Sequence, residues 1–145
     1  MNMVRSLLAL LVGMGLFRLI VAVLETVLVG AAANGPVANE AAYFAVRNQP
    51  AMLAAALGYN SVAAFLAGYV MAKIAGVHDL MHAGVGAAIQ TAALLWSFTA
   101  GEYAASTPAW TRIALVVLIG PAMIAGAAVR ARAATMHLET DTTSS

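Results

Sequence analysis

The residues of this 145-residue chain that could do chemistry are few, and cysteine is absent. The most suggestive spacing is His78, Asp79 and His82, because histidines four residues apart share one helix face and can bind a metal together. This pattern allows a metal or haem binder through His78 and His82, but no third ligand lies nearby in the sequence. In the alternative interpretation Asp79 caps a helix and His82 lies at the membrane surface. We predict no metal site and no cofactor.

Three other polar side chains interrupt long apolar segments: Arg18, Asn60 and Gln90. At 1.5 Å per residue they lie about 15–21 Å from the same face of a membrane. A charged side chain at a helix centre in a bilayer costs about 2.5–3.5 kcal/mol and usually has a partner. We therefore expect a buried polar cluster of Arg18, Asn60 and Gln90, to which Tyr59 could contribute. Such a cluster would either fix the register of the helices through hydrogen bonds or contact an anion, a substrate or a lipid headgroup. In a third interpretation, Arg18 docks on a partner subunit.

Glu25 is an acidic residue within the first apolar segment. It lies seven residues after Arg18, about 10 Å further along a helix. Helical side chains lean towards the N-terminus, so Arg18 points away from Glu25. We predict instead an ion pair between Glu25 and Arg112 at the outer boundary of the membrane that the helices cross. The alternative is a carboxylate that binds a proton or a cation.

The composition indicates what must position these residues. Hydrophobic residues make up 63% of the chain and charged residues only 9%, against about 25% charged in soluble domains. Four apolar segments approach the roughly 20 residues that cross a bilayer. These segments are 6–29, 52–74, 80–99 and 113–129. We predict an all-α membrane protein whose four helices form an up-down-up-down bundle over 1–134, with a short surface helix or loop at 37–48 and a flexible polar tail at 135–145.

The first segment also begins like a signal peptide, and small residues at 31–33 could form a cleavage site. Its apolar stretch is longer than the 7–15 residues of a secretory signal, so we predict an uncleaved helix. With four spans, four Lys and Arg residues flank the helices on the same side of the membrane as the N-terminus, and two flank them on the opposite side. Because Lys and Arg are more frequent on the cytoplasmic side, this difference favours cytoplasmic termini. The four are Arg5, Lys73, Arg130 and Arg132, and the two are Arg47 and Arg112.

Small residues recur every four positions in the second and third segments, which allows close approach of membrane helices. The two stripes, which we expect to face each other, are Ala64, Gly68, Ala72 and Gly76, and Gly84, Ala88 and Ala92. In the fourth segment Pro121 follows Gly120, so we expect a kink there. That kink is either a packing bend or a hinge.

Several stretches resemble small bacterial four-helix integral membrane proteins. The stretch from Ser6 to Gly13, with Glu25 late in the same helix, is similar to their start. The stretch 67–76 followed by His82 resembles their junction between helices two and three, and 108–110 with 121–127 resembles their fourth helix. The resemblance implies the four-helix fold but no activity. Arg18 departs from that pattern. We expect the protein in the cell inner membrane.

No nucleophile with a base, phosphate-binding loop or dinucleotide motif is present in the sequence. A net charge of +1 gives no basic field for nucleic acid. We expect a non-enzymatic structural or accessory protein whose partners are the lipid bilayer and either further copies of itself or a larger membrane complex. The alternative is a small oligomeric transporter or channel with a polar path near Arg18, Asn60 and Gln90.

Overall fold

The computed structural model describes residues 3–76, 79–100 and 106–143, without the side chains of Asp79 and of 135–143. Over these ranges the chain forms five α-helices and no strand. The helices are α1 (Met3–Ala32), α2 (Glu40–Arg47), α3 (Pro50–Ala75), α4 (Asp79–Thr99) and α5 (Ala109–Thr143). The all-α fold class predicted from the sequence is confirmed.

Three of the described helices are long and apolar enough to cross a membrane: α1, α3 and the Ala109–Ala134 part of α5. At 1.5 Å per residue each exceeds the roughly 30 Å of a bilayer's hydrocarbon core. α4 has 21 residues, but the polar side chains of His82, Gln90 and Ser97 reduce its mean hydropathy. The described helices therefore include three candidate membrane spans, whereas the sequence predicts four.

α1 packs along α3 in the opposite direction. Gly13 is buried against the side chain of Met71, which a Cβ atom at this position would overlap. Nearer the helix ends, Arg5 Nε donates to the carbonyl oxygen of Ile74 at 2.5 Å. α3 ends there at Ala75, and the following Gly76 has a φ of 70°, a conformation that favours glycine. The beginning of α1 and the end of α3 therefore lie at the same end of the bundle.

The closest approach of two helices is between α3 and α5. A Cβ atom at Gly68 would overlap the carbonyl oxygen of Met123, and one at Gly126 would overlap the carbonyl oxygen of Phe65. Because these contacts are with backbone atoms, no side-chain rearrangement could make room for a larger residue. Small residues thus bring the α3 and α5 backbones together, as is common between membrane helices.

This contact corrects the predicted pairing of the two small-residue stripes. Ala64, Gly68 and Ala72 are buried as the sequence suggests, but Gly68 faces α5 and not α4. Gly76 is exposed at the end of α3.

The stripe predicted on α4 does not pack on α3. A Cβ atom at Gly84 would meet no atom within 4 Å, and Ala88 and Ala92 are exposed. α4 instead turns Gly86 towards the side chains of Met71 and Met123. The pairing is wrong because α5 occupies the small-residue face of α3, which leaves α4 to pack through positions offset from the stripe.

The core lies between α1, α3, α4 and α5 and combines many small residues with a few large ones. Small side chains on α3 let the larger ones of α1 and α5 reach the centre, so the helices pack closely. Its buried members are Phe17, Ala63, Ala64, Ala67, Met71, Ala87, Leu115, Ile119 and Met123.

α5 is the longest helix and contains Pro121. Proline has no backbone N–H, so the carbonyl of Val117 has no partner from the helix there. The helix nevertheless continues through Gly120 and Pro121, and the kink remains a prediction. α5 also runs past 129 to Thr143 and so includes much of the segment predicted as a polar tail. Good helix formers at 131–139, mainly alanine, methionine, leucine and glutamate, account for this extension.

Candidate functional site

The short helix α2 presents two polar side chains to the rest of the bundle. It begins after Asn39, whose side-chain oxygen accepts a hydrogen bond from the backbone N–H of Ala42 at 2.9 Å. Glu40 in the first turn and Arg47 in the last turn have the charges that a helix dipole favours. Tyr43 and Arg47 are four residues apart, so they share the helix face that meets Glu25 of α1.

The Glu25 carboxylate accepts hydrogen bonds from three side chains. Oε1 accepts from Arg47 Nε at 2.6 Å and from the Tyr43 hydroxyl. Oε2 accepts from the Tyr59 hydroxyl of α3 at 3.1 Å. Glu25 lies seven residues before the end of α1, about 10 Å along the helix axis from Ala32. Because only 19% of the Glu25 side chain is exposed, its carboxylate needs such donors in place of water.

Arg47 connects this carboxylate to the segment before α5. Its NH1 donates to Thr107 Oγ1 at 3.0 Å, and its guanidinium carbon lies 6.0 Å from the centre of the Phe44 ring. Next to it, Asn48 Nδ2 donates to the carbonyl oxygen of Ser106 at 2.5 Å. Only 14% of the Arg47 side chain and 19% of the Glu25 side chain are exposed. We call Glu25, Tyr43, Arg47, Tyr59 and Thr107 the Glu25 cluster.

The electrostatics of the cluster keep Tyr43 neutral. Burial, the hydrogen bond to Glu25 and the negative charge of Glu25 together raise the pKa of the Tyr43 hydroxyl well above its ordinary value of 10.0. The phenol therefore remains a donor to the carboxylate at neutral pH and well into the alkaline range. With both carboxylate oxygens accepting hydrogen bonds, the cluster is built to hold α2 in place.

A cavity of about 370 Å³ opens beside the Glu25 cluster. Glu40 and Arg47 of α2 line it on one side, and Ser97 and Phe98 of α4 line it on the other. Among the described residues, two carboxylates, those of Glu25 and Glu40, and one guanidinium border it, which gives a formal charge of minus one. We call this cavity the acidic cleft.

The predicted ion pair between Glu25 and Arg112 is wrong. Glu25 pairs with Arg47, while Arg112 NH1 donates to the carbonyl oxygen of Phe98 at 2.9 Å. The reason is that α2 folds back against the bundle and brings Arg47 within hydrogen-bond distance of Glu25. The sequence did carry a signal for this, since Asn39 is a good N-cap and Tyr43 and Arg47 share one face of the helix that follows.

The predicted polar cluster of Arg18, Asn60 and Gln90 does not form either. Asn60 is buried and donates to Ala56 of its own helix, whereas Tyr59 belongs to the Glu25 cluster. Gln90 is 1% exposed, and its Oε1 has no hydrogen-bond partner among the described residues.

Arg18 lies on the exposed side of α1. Its neighbour Phe17, by contrast, is 2% exposed and part of the core. Within the part of the chain that the structure describes, Arg18 makes no hydrogen bond or ion pair. It therefore presents an unpaired cation on the outside of the bundle.

The histidine pattern is only partly described. His78 lies outside the described residues, and His82 is 4% exposed within the bundle and not at its surface. In the described ranges no three histidine, aspartate or glutamate side chains come together as a metal site would require.

Comparison with known proteins adds no relative. No family, curated protein or solved structure matches this chain. The resemblance to small bacterial four-helix membrane proteins therefore stays a prediction, and functional inference rests on the placement of Arg18 and the Glu25 cluster.

Proposed function

We propose that this protein is a non-enzymatic integral membrane protein that serves as a structural or accessory subunit of a larger membrane complex. The observation that carries the proposal is the position of Arg18. It lies near the middle of the 30-residue α1, about 21–23 Å from either end. A cation that faces lipid at this depth is costly, and such residues usually pair with a group of opposite charge.

The partner of Arg18 is a carboxylate on another membrane protein. Glu25, at the depth nearest to Arg18, already accepts three hydrogen bonds inside its own bundle. Among the described side chains, a second copy of the chain therefore has no free carboxylate to offer at this depth. The remaining acidic residues lie in α2, at the start of α4, between α4 and α5, and at the end of α5: Glu40, Asp79, Glu102, Glu139 and Asp141.

The face around Arg18 also suits a neighbouring helix. Gly15 is exposed, and a Cβ atom there would meet nothing within 4 Å. Ala22 and Thr26, about one and two turns beyond Arg18, line a groove together with Val23 and Val27. These small side chains would let a partner helix approach closely enough for its carboxylate to reach the guanidinium.

The placement of Arg18 does not favour the alternative function of a transporter or channel. That hypothesis needs Arg18, Asn60 and Gln90 along one polar path, and Arg18 lies on the outer surface of the bundle. We do not propose it further.

The test compares Arg18→Leu with Arg18→Lys in native cells after extraction in mild detergent. Recovery of the co-purifying membrane protein is expected to fall at least about tenfold for Arg18→Leu, because an unpaired carboxylate would remain in the partner. Arg18→Lys keeps the charge and is expected to retain most of the partner. Quantitative mass spectrometry measures the recovery. Recovery of the wild-type protein alone, only with further copies of itself, or with the same partner at the same level after Arg18→Leu, would overturn the proposal.

We further propose that α4 crosses the membrane as well, which gives four spans with both termini on the cytoplasmic side of a bacterial inner membrane. The packing supports this arrangement. Arg5 and Lys73 lie at one end of the bundle, where α1 begins and α3 ends, and Arg47 lies at the other end, beside Thr107.

Labelling of single cysteines tests this topology, and the natural absence of cysteine makes every signal specific. A membrane-impermeant maleimide added outside is expected to label Ala38→Cys and Ala109→Cys but not Lys73→Cys. All three positions are exposed. If α4 did not cross, Ala109→Cys and Lys73→Cys would be labelled from the same side.

A further inference from the structure

A second groove lies next to the acidic cleft, and Phe98 lines both. It has a volume of about 320 Å³ and lies between α4 and α5. Its walls are mostly apolar, with Leu95 on one side and Ile113 and Val117 on the other. Phe98 lines both cavities, so the polar and apolar spaces are neighbours on the surface of the bundle.

The groove lies at the depth of the hydrocarbon core. Val117 is eight residues into α5, about 12 Å below the start of that helix. The exposed fractions of Leu95, Ile113 and Val117 are 49%, 65% and 61%, so these side chains remain open to whatever surrounds the bundle. An acyl chain matches this depth and polarity.

Arg112 places a positive charge where the groove meets the acidic cleft. Its NH1 donates to the carbonyl of Phe98, and its side chain is partly exposed and lines the groove. A guanidinium with spare donors pairs well with a phosphate. Beyond Phe98, the acidic cleft has a formal charge of minus one, which favours a cation.

We propose that this surface binds a phospholipid whose headgroup carries a primary amine, as phosphatidylethanolamine does. One acyl chain lies in the groove between α4 and α5, the phosphate meets Arg112, and the ammonium enters the acidic cleft beside Glu40. The positive charge of Arg112 next to the groove, followed by the negative charge of the acidic cleft, matches the phosphate and the ammonium of a zwitterionic amine lipid. An anionic lipid without an amine leaves Glu40 unpaired and brings negative charge to a cleft that is already negative.

Glu40 is the residue to change, because it is exposed at the start of α2 and can be replaced without opening the Glu25 cluster. Purified, delipidated protein in detergent is titrated with phosphatidylethanolamine, phosphatidylcholine or phosphatidylglycerol, and bound lipid is counted by native mass spectrometry. The wild-type protein is expected to hold one phosphatidylethanolamine with about tenfold preference over either other lipid. Phosphatidylcholine lacks the N–H donors, and phosphatidylglycerol lacks the positive charge.

Two variants separate headgroup recognition from the groove. Glu40→Gln is expected to remove the preference for phosphatidylethanolamine by weakening its binding without weakening that of phosphatidylglycerol, while Val116→Trp fills the groove and lowers binding of all three lipids. Circular dichroism checks that each variant is folded, and because the protein is purified alone the outcome does not depend on a partner of Arg18. Equal binding of the three lipids by the wild-type protein, or an unchanged preference in Glu40→Gln, would refute the proposal.

Discussion

Gly126→Ala is expected to destabilise the folded bundle by about 3 kcal/mol, and Gly68→Ala by a similar amount. At each position the new methyl group would overlap a backbone carbonyl oxygen, that of Phe65 or of Met123. Neither oxygen can move unless α3 and α5 separate. Separation would also loosen the packing of Met123 in the core.

Gly58→Ala in α3 and Gly84→Ala in α4 are the matched controls. A Cβ atom at either position would meet nothing within 4 Å, so these changes should leave stability unchanged or raise it by up to about 1 kcal/mol through better helix propensity. Unfolding by SDS in mixed micelles, followed by circular dichroism, measures all four variants. Equal stability of Gly126→Ala and Gly84→Ala would mean that the helices do not approach where the structure places them.

The second large effect is expected for Glu25→Ala, with a loss of about 3–5 kcal/mol. Removing the carboxylate leaves Arg47 as an uncompensated charge and takes the acceptor from the Tyr43 and Tyr59 hydroxyls. The lower end of that range is expected, since both members of the pair are partly exposed. The loss should be seen first in α2, as faster hydrogen exchange of its backbone amides.

A double-mutant cycle with Arg47→Ala distinguishes the ion pair from general damage to the helix. The double variant is expected to be more stable than the sum of the single losses predicts, because no unpaired charge remains. Glu40→Ala removes an exposed carboxylate next to the cluster and is expected to have little effect on stability. Additive losses in the cycle would show that Glu25 and Arg47 do not act together.

How far the sequence predicts this structure can be argued from neighbouring residues of α1. The rise per residue placed Arg18 at mid-membrane depth, and the structure agrees that it lies near the middle of α1. The direction in which each side chain points is harder to predict, because each residue turns the helix by about 100°. Phe17 is therefore in the core while its neighbour Arg18 is outside. Since apolar residues occur all round α1, its composition does not indicate which face meets the other helices.

The Glu25 cluster was missed for a related reason. Counting along helices placed Glu25 at the depth of Arg112, and only the position of α2 decides that Arg47 reaches the carboxylate instead. The stretch 37–48 was recognised as a short helix or loop, but its packing against α1 depends on contacts distant in sequence. Likewise, the small residues of α3 were identified as a packing face, but the choice between α4 and α5 depends on how four helices share one core.

The bonds of the Glu25 cluster also imply an order of events during synthesis. Arg47 can reach Glu25 as soon as two helices have left the ribosome, because only 22 residues separate them, and Tyr59 follows at a separation of 34. Thr107 is 60 residues from Arg47, so this last bond closes only when α4 has been made and α5 is entering the membrane. An early intermediate of α1, α2 and α3 would thus already hold Glu25 and Arg47 as a pair before the C-terminal half of the chain is made.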